Sequence, residues 1–290
     1  MIVEILVNGI VISAIYALLA SGFALIFGVA RIINLGHTAF YMLAAYFLFT
    51  FANLLGLNVF LSAILSIVIV VLMGIGVYEL LIDPIREHET TVLLTTIALA
   101  ILIQSCMLEA FGGEYRGVSS FFFGSVELLG VSVSYQQLLT IGLALVVLFS
   151  LWLFLSKSKL GVAIRATAQD REVANLMGID VGRICLTTMA VAVGLAAISG
   201  VIVAALFVAG PTMWMEPLII VVAIVVLGGL GSVRGSFVGA LIMGFVETMV
   251  VAFLPMGSFL KGAIALAVMV VVLLIKPEGM FGVVFEEERL

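Results

Sequence analysis

Charge is what this sequence has least of. Asp, Glu, Lys and Arg make up 10% of it and hydrophobic residues 64%, against roughly 25% and about 45–50% in soluble domains. No soluble core hides that much apolar surface. Histidine occurs only at His37 and His88, too sparsely for a metal or catalytic cluster of the usual kind. Cys106 and Cys185 lie far apart in or beside apolar runs, so neither a disulfide, a zinc site nor a redox pair is supported, and both read as buried thiols. There is no GxxxxGK[ST] to hold ATP, no HExxH, no GxSxG and no CxxC. An enzyme needs converging polar groups, and these absences leave none to assemble: the expectation is no catalytic residue, no metal and no cofactor. No basic segment precedes the first apolar run, which is read as a span and not as a cleaved leader.

What is present is hydrocarbon in long stretches. Apolar runs occupy about 5–28, 38–53, 58–81, 91–111, 135–156, 184–209, 217–229, 235–254 and 257–275. A bilayer core takes about 20 apolar residues per helix. Exposed spans must satisfy their own backbone, which selects helices. A barrel would need alternation with period two, and these runs are apolar on every face. The chain is therefore expected to be an all-α polytopic membrane protein of 8–9 transmembrane helices, some broken or re-entrant, in one domain over 1–290. Run 38–53 is marginal in length and re-enters if it does not cross. Run 217–229 is either a short span or one arm of a broken hairpin. The Gly228, Gly229, Gly231 and Gly235 stretch that follows reads either as an unwound gate lining a cavity or as a tight turn carrying Arg234.

Orientation follows from the basic residues. Of the 12 Lys and Arg, Arg31, Arg86, Lys157, Lys159, Arg165, Arg171, Arg183, Arg234, Lys276 and Arg289 fall on one side when the breaks are grouped alternately, and Arg116 and Lys261 on the other. That places the N-terminus outside and the C-terminus in the cytoplasm. Small residues recur every four positions at Gly9, Ser13, Ala17 and Ser21, and again at Gly235/Gly239, Ala240/Gly244 and Ala196/Gly200. Such spacing lets helices approach closely in lipid but names no substrate.

Two loops are long enough for structure. Residues 112–134 form a periplasmic loop, Gly- and Ser-rich with an aromatic cluster, expected as a short hairpin or a small plug. Residues 157–183 read as two short cytoplasmic helices. Asp170 caps the second, Val173, Leu176 and Met177 form its apolar face, and Gly178 suits a left-handed stop. An apolar face in the cytoplasm wants a partner, such as an ATPase that grips it; an ordinary solvated connector is the alternative. Within the runs, Glu247 is costly unless it meets protein or water. It is either a pathway residue or a carboxylate satisfied by nearby Thr or Ser at a subunit contact. Glu79, Glu109 and Glu216 sit at run ends and are expected to reach headgroups. The stretch FGVARIINLGHTAFYMLAAY puts Asn34, His37 and Thr38 between two apolar segments, as a simple turn or as the brace of a discontinuous helix beside the pathway.

Four stretches carry a resemblance. GVAIRATAQDREVANLMGIDVGR resembles the coupling segment of permeases of branched-chain amino acid ABC importers, the leucine/isoleucine/valine type, at Gly161, Arg165, Ala166, Asp170, Ala174, Gly178 and Ile179. NLGHTAFYMLAAY is similar to the family's N-terminal signature, N-F-A-H-G-x-x-Y-M-x-G-A-Y. Asn34, His37 and the Tyr41–Met42 pair match, while Leu35, Gly36, Thr38 and Ala44 depart. GGLGSVRGSFVGALIMGFVE and KPEGMFG resemble its Gly-rich hairpin and closing motif. The short N-terminus is similar to the H-type subunit. The resemblance implies a permease in the bacterial inner membrane, working with a second homologous permease, two ATPase subunits that bind the ATP, and a periplasmic substrate-binding protein, without nucleic acid. It also implies a coupling role for Gly161, Arg165, Asp170, Arg171, Glu172, Ala174, Leu176, Met177 and Gly178. Import of urea, short amides or other amino acids by the same fold, and a stand-alone secondary transporter, are the rival readings.

Overall fold

The computed structural model describes residues 2–118, 120–128 and 130–282; Arg289, counted above for orientation, lies outside them. Each of the nine runs forms a helix: α1 (Ile2–Ala30), α2 (His37–Phe49), α3 (Val59–Val77), α4 (Glu89–Phe111), α5 (Tyr135–Lys157), α8 (Val181–Leu206), α9 (Met215–Gly228), α10 (Val233–Phe253) and α11 (Gly257–Ile275). Among the described residues, seven helical stretches are long and apolar enough to cross a membrane. α2 and α9 fall short at 13 and 14 residues, about 20 Å each at 1.5 Å per residue. Twelve of the thirteen α2 residues are buried. It is a central helix sheathed by protein, prolonged by a π-helical turn at Thr50–Leu54. Between α5 and α8 lie α6 (Lys159–Gln169) and α7 (Arg171–Leu176).

Small residues set the packing around α1. A methyl group added to Gly244 would lie 2.3 Å from Ser13 Oγ, so α10 rides against the small face of α1. One added to Gly200 would lie 2.0 Å from the Tyr41 carbonyl, which ties α8 to α2 in the same way. At one end of the bundle, β1 (Arg116–Gly117) pairs with β4 (Val208–Ala209), and β2 (Ser125–Leu128) with β3 (Val131–Ser134). The second pair is a hairpin that leads into α5 through a reciprocal Ser134–Gln137 cap. Gln137 also donates to Asn8 Oδ1 at 3.0 Å, fixing the hairpin to the start of α1. Phe121 and Phe122 pack their rings on Phe60.

The opposite end carries α6 and α7. There Gly229 (φ 100°) and Gly231 (φ 80°) bend the chain between α9 and α10. Gly231 lies so close to Gly28 of α1 that an added methyl would sit 3.0 Å from the Gly28 Cα. The segment after α11 returns to this turn. Met280 N–H donates to the Leu227 carbonyl at 2.8 Å and Phe281 N–H to the Gly228 carbonyl at 3.0 Å, serving acceptors that the end of α9 leaves open. One expectation fails: Cys185 is buried, but Cys106 is exposed, because α4 lies at the periphery.

Candidate functional site

α6 begins at Ser158, whose side chain accepts from Gly161 N–H at 2.8 Å. Gly161 lies against the end of α5: an added methyl would meet the Phe154 carbonyl at 2.2 Å. Arg165 is exposed, with a long 3.5 Å contact to the Ser156 carbonyl. Asp170, in extended conformation, ends α6 and starts α7, accepting from Val173 N–H at 2.9 Å. Such a cap is worth about 1 kcal/mol. Ala174 is buried, Glu172 faces solvent, and Gly178 (φ 82°) turns the chain out of the helix. At the tip, Leu176 and Met177 are 85% and 78% exposed, and Val173 is 53% exposed.

Two arginines fasten this projection to the bundle. Arg171 donates through Nε and Nη2 to the Val29 carbonyl, at 3.0 and 2.8 Å. Arg31 donates through Nη2 to the Ala168 carbonyl at 3.1 Å. Both acceptors belong to the last turn of a helix, where carbonyls lack partners and the helix dipole favours cations. Arg31 is in a left-handed conformation (φ 52°). Burial, and then the neighbouring Arg171 charge, push its guanidinium down from the ordinary value.

From Arg31 the chain dips into the bundle. His37 lies beside Leu19, Gly22 and Phe23 of α1, about two to three turns inside the Ala30 end of that helix. Its Nε2 lies 3.2 Å from the Leu19 carbonyl. A carbonyl only accepts, so that nitrogen carries the proton. Asn34 is buried in the non-helical connector, accepting from Gly36 N–H at 3.0 Å and facing Met189 Sδ at 3.8 Å. Leu35 N–H donates to Thr96 Oγ1 at 3.2 Å. Thr38 is fully buried one residue into α2. Asn34 and His37 do not share a helical face; the His37 N–H instead reaches the Asn34 carbonyl at 3.2 Å.

Two cavities meet α1 from opposite ends. The larger, about 1020 Å³, opens at the hairpin end and reaches as far as Leu19 and Tyr41. The smaller, about 650 Å³, runs along α1 from Ser21 to Val29 and brings Arg165 and Ala168 of α6 together with Gly231 and Arg234 of the glycine turn. Glu247 belongs to the larger one, away from the glycine turn; its partner Tyr16 lies within one turn of Leu19, the α1 residue that faces His37. Its Oε2 accepts from Tyr16 Oη at 2.6 Å, and its Oε1 lies 3.4 Å from Lys261 Nζ. Lys261 also pairs with Glu216. Tyr16 and Lys261 thus hold the carboxylate, not a Thr or Ser. Glu216, at the start of α9, joins this cluster through Lys261. The signal for Lys261 was a lone cation five residues into an apolar run; Tyr16 gave none.

A family model described as the permease component of the branched-chain amino acid transport system matches residues 5–273. The chain is 30% identical over 292 residues to the high-affinity branched-chain amino acid transport system permease protein BraD of Pseudomonas aeruginosa, covering 96% of this chain and 94% of that one. It is 27% identical over 290 residues to the LivH permease of Salmonella typhimurium, covering 95% and 94%. Among solved structures, PsaBC from Streptococcus pneumoniae in complex with Fab shares the fold, with a TM-score of 0.52 at 16% identity, over 97% of this chain and 98% of that one.

Proposed function

The chain belongs to the branched-chain amino acid transport permease family, and from that premise we propose that it forms, with a second homologous permease, the membrane path of an ATP-driven importer of branched-chain amino acids. It is a multi-pass membrane subunit. Two separate ATPase subunits bind and hydrolyse the ATP, and a substrate-binding protein delivers the amino acid at the far side. This chain contributes neither a catalytic residue nor a nucleotide site. The α6–α7 end faces the cytoplasm and the hairpin end the periplasm, with the N-terminus outside and the C-terminus inside the bacterial inner membrane. The whole chain acts as one permease domain.

The observation that carries this reading is the build of α7: an apolar tip, Leu176 and Met177, on a root held by buried Ala174 and by Arg171. Left in water, such a tip forfeits the burial of two large side chains, about 1.5–3 kcal/mol each. Seated in a groove of an ATPase, it becomes a handle. Motion of the handle is transmitted by Arg171 to the end of α1 and by Arg31 to the connector that carries Asn34, His37 and Thr38. Because α1 lines both cavities, a rigid-body shift of α1 and α2 alters which cavity is continuous with its side of the membrane, an alternating-access change. Gly161, Arg165, Asp170, Glu172 and Gly178 fix the shape of the handle. Gly231 lets the α9–α10 turn lie directly on α1, while Gly228 admits the backbone of Gly235 and Gly229 that of the returning segment at Gly282.

The test is reconstitution of the chain with its second permease and two ATPases in proteoliposomes. Leucine uptake that needs both ATP and the binding protein is the expected result. Uptake by this chain alone, without ATP, would overturn the reading in favour of a secondary transporter.

A further inference from the structure

The larger cavity is more than a greasy passage. It holds an oppositely charged pair, Glu247 and Lys261, beside an apolar wall that α1 supplies through Val11, Ile12, Ile15 and Leu19. The Glu247 side chain is only 11% exposed, although a carboxylate at that depth is costly without a partner. Tyr16 fixes one of its oxygens. The other has only the looser 3.4 Å contact with Lys261. Lys261 itself is shared, because Glu216 holds it more closely. The Glu247–Lys261 contact is thus the one joint in the cluster that a guest can enter without stripping either group of all its protein partners.

We propose that Glu247 and Lys261 form a transient subsite for the zwitterionic head of the transported amino acid. The α-ammonium sits on Glu247, the α-carboxylate on Lys261, and the branched side chain lies on the Val11–Ile15–Leu19 wall. This deepens the importer reading above and rests on it. The chemistry selects a zwitterion with an apolar tail. An amine alone satisfies Glu247 and leaves Lys261 as it was, a carboxylate alone does the reverse, and a neutral amide or urea satisfies neither charge. Tyr16 is a positioning residue that acts by orienting the Glu247 carboxylate.

The experiment uses the assembled importer in lipid nanodiscs, without binding protein, and saturation-transfer NMR of three small probes. Leucine carries both head groups, isopentylamine only the ammonium, and 4-methylpentanoate only the carboxylate. In the wild-type complex, leucine is expected to give the strongest transfer, with an affinity roughly ten-fold or more above either half-probe, because each half-probe forgoes one charge-assisted hydrogen bond. Glu247→Gln keeps the Tyr16 hydrogen bond and should weaken leucine and isopentylamine but not 4-methylpentanoate. Lys261→Met should weaken leucine and 4-methylpentanoate but not isopentylamine, and Glu247→Asp should restore part of the leucine signal. Equal transfer from all three probes in the wild-type complex, which needs no variant, would overturn the subsite. So would leucine binding unchanged in both variants. A wild-type complex that shows ATP-driven leucine uptake but no such pattern sinks the subsite alone, whereas absence of uptake with binding protein and ATP sinks the importer reading.

Discussion

Arg31 and Arg171 each hold the end of the helix on which the other's segment abuts. Arg171 of α7 donates to Val29 in the last turn of α1, and Arg31, one residue past α1, donates to Ala168 in the last turn of α6. The crossed bonds make α1 and the α6–α7 projection one mechanical piece.

Breaking that piece should separate hydrolysis from transport. Hydrogen bonds to charged groups contribute about 1.5–3 kcal/mol, or roughly ten-fold or more in an equilibrium. Arg171→Glu, alone or with Glu172→Arg, is expected to leave the ATPase subunits bound and hydrolysing while leucine uptake falls by about that factor. Ala174→Pro should act alike by disrupting α7, since proline inside a helix costs about 3 kcal/mol. Parallel assays of phosphate release and uptake in proteoliposomes check this. Normal uptake in all three variants would remove the coupling role.

The tip of α7 should matter for assembly and not for folding. Leu176→Ser with Met177→Ser alters two exposed side chains, and such surface changes usually stay within about 0.5 kcal/mol. The chain should keep its thermal midpoint in detergent and lose co-purifying ATPase. A lowered midpoint with retained ATPase would contradict the assignment.

His37 should be worth measurable stability. His37→Ala removes the donor to Leu19 and a fully buried ring, at a cost of about 1–3 kcal/mol for the polar term alone. His37→Gln, whose amide can still donate, should recover part of it. Thermal unfolding of the two variants gives the comparison.

The close approach of α8 to α2 leaves no room for a side chain. Gly200→Val should destabilise by at least about 1–3 kcal/mol through overpacking, because an added carbon meets the Tyr41 backbone and not a flexible side-chain end. Gly76, with open space around the same atom, should accept alanine with little change. Paired melting curves test the contrast.

What could be read without coordinates was local. Apolar runs in lipid have one backbone solution, so the nine helices were legible. The Asp170 cap and the Gly178 stop were legible too, because capping depends on a few adjacent residues. The hairpin was half legible: its composition marked a turn but left a plug open. Contacts between distant parts of the chain left no trace in spacing. Arg31 looked like a topology marker, and nothing tied it to Ala168. Glu247 stood out because its run is apolar, but Tyr16, in another helix, did not. The depth of Asn34 and His37 depends on how the connector folds inward, which no periodicity records.

The returning segment at Met280 and Phe281 also orders events during synthesis. Residues 279–282 are translated after every helix of the bundle, yet they complete the end of α9. Until the ribosome has delivered them, the Leu227 and Gly228 carbonyls remain without these partners. A chain terminated within α11 lacks both donors, so the end of α9 is completed only when the last described residues have been made.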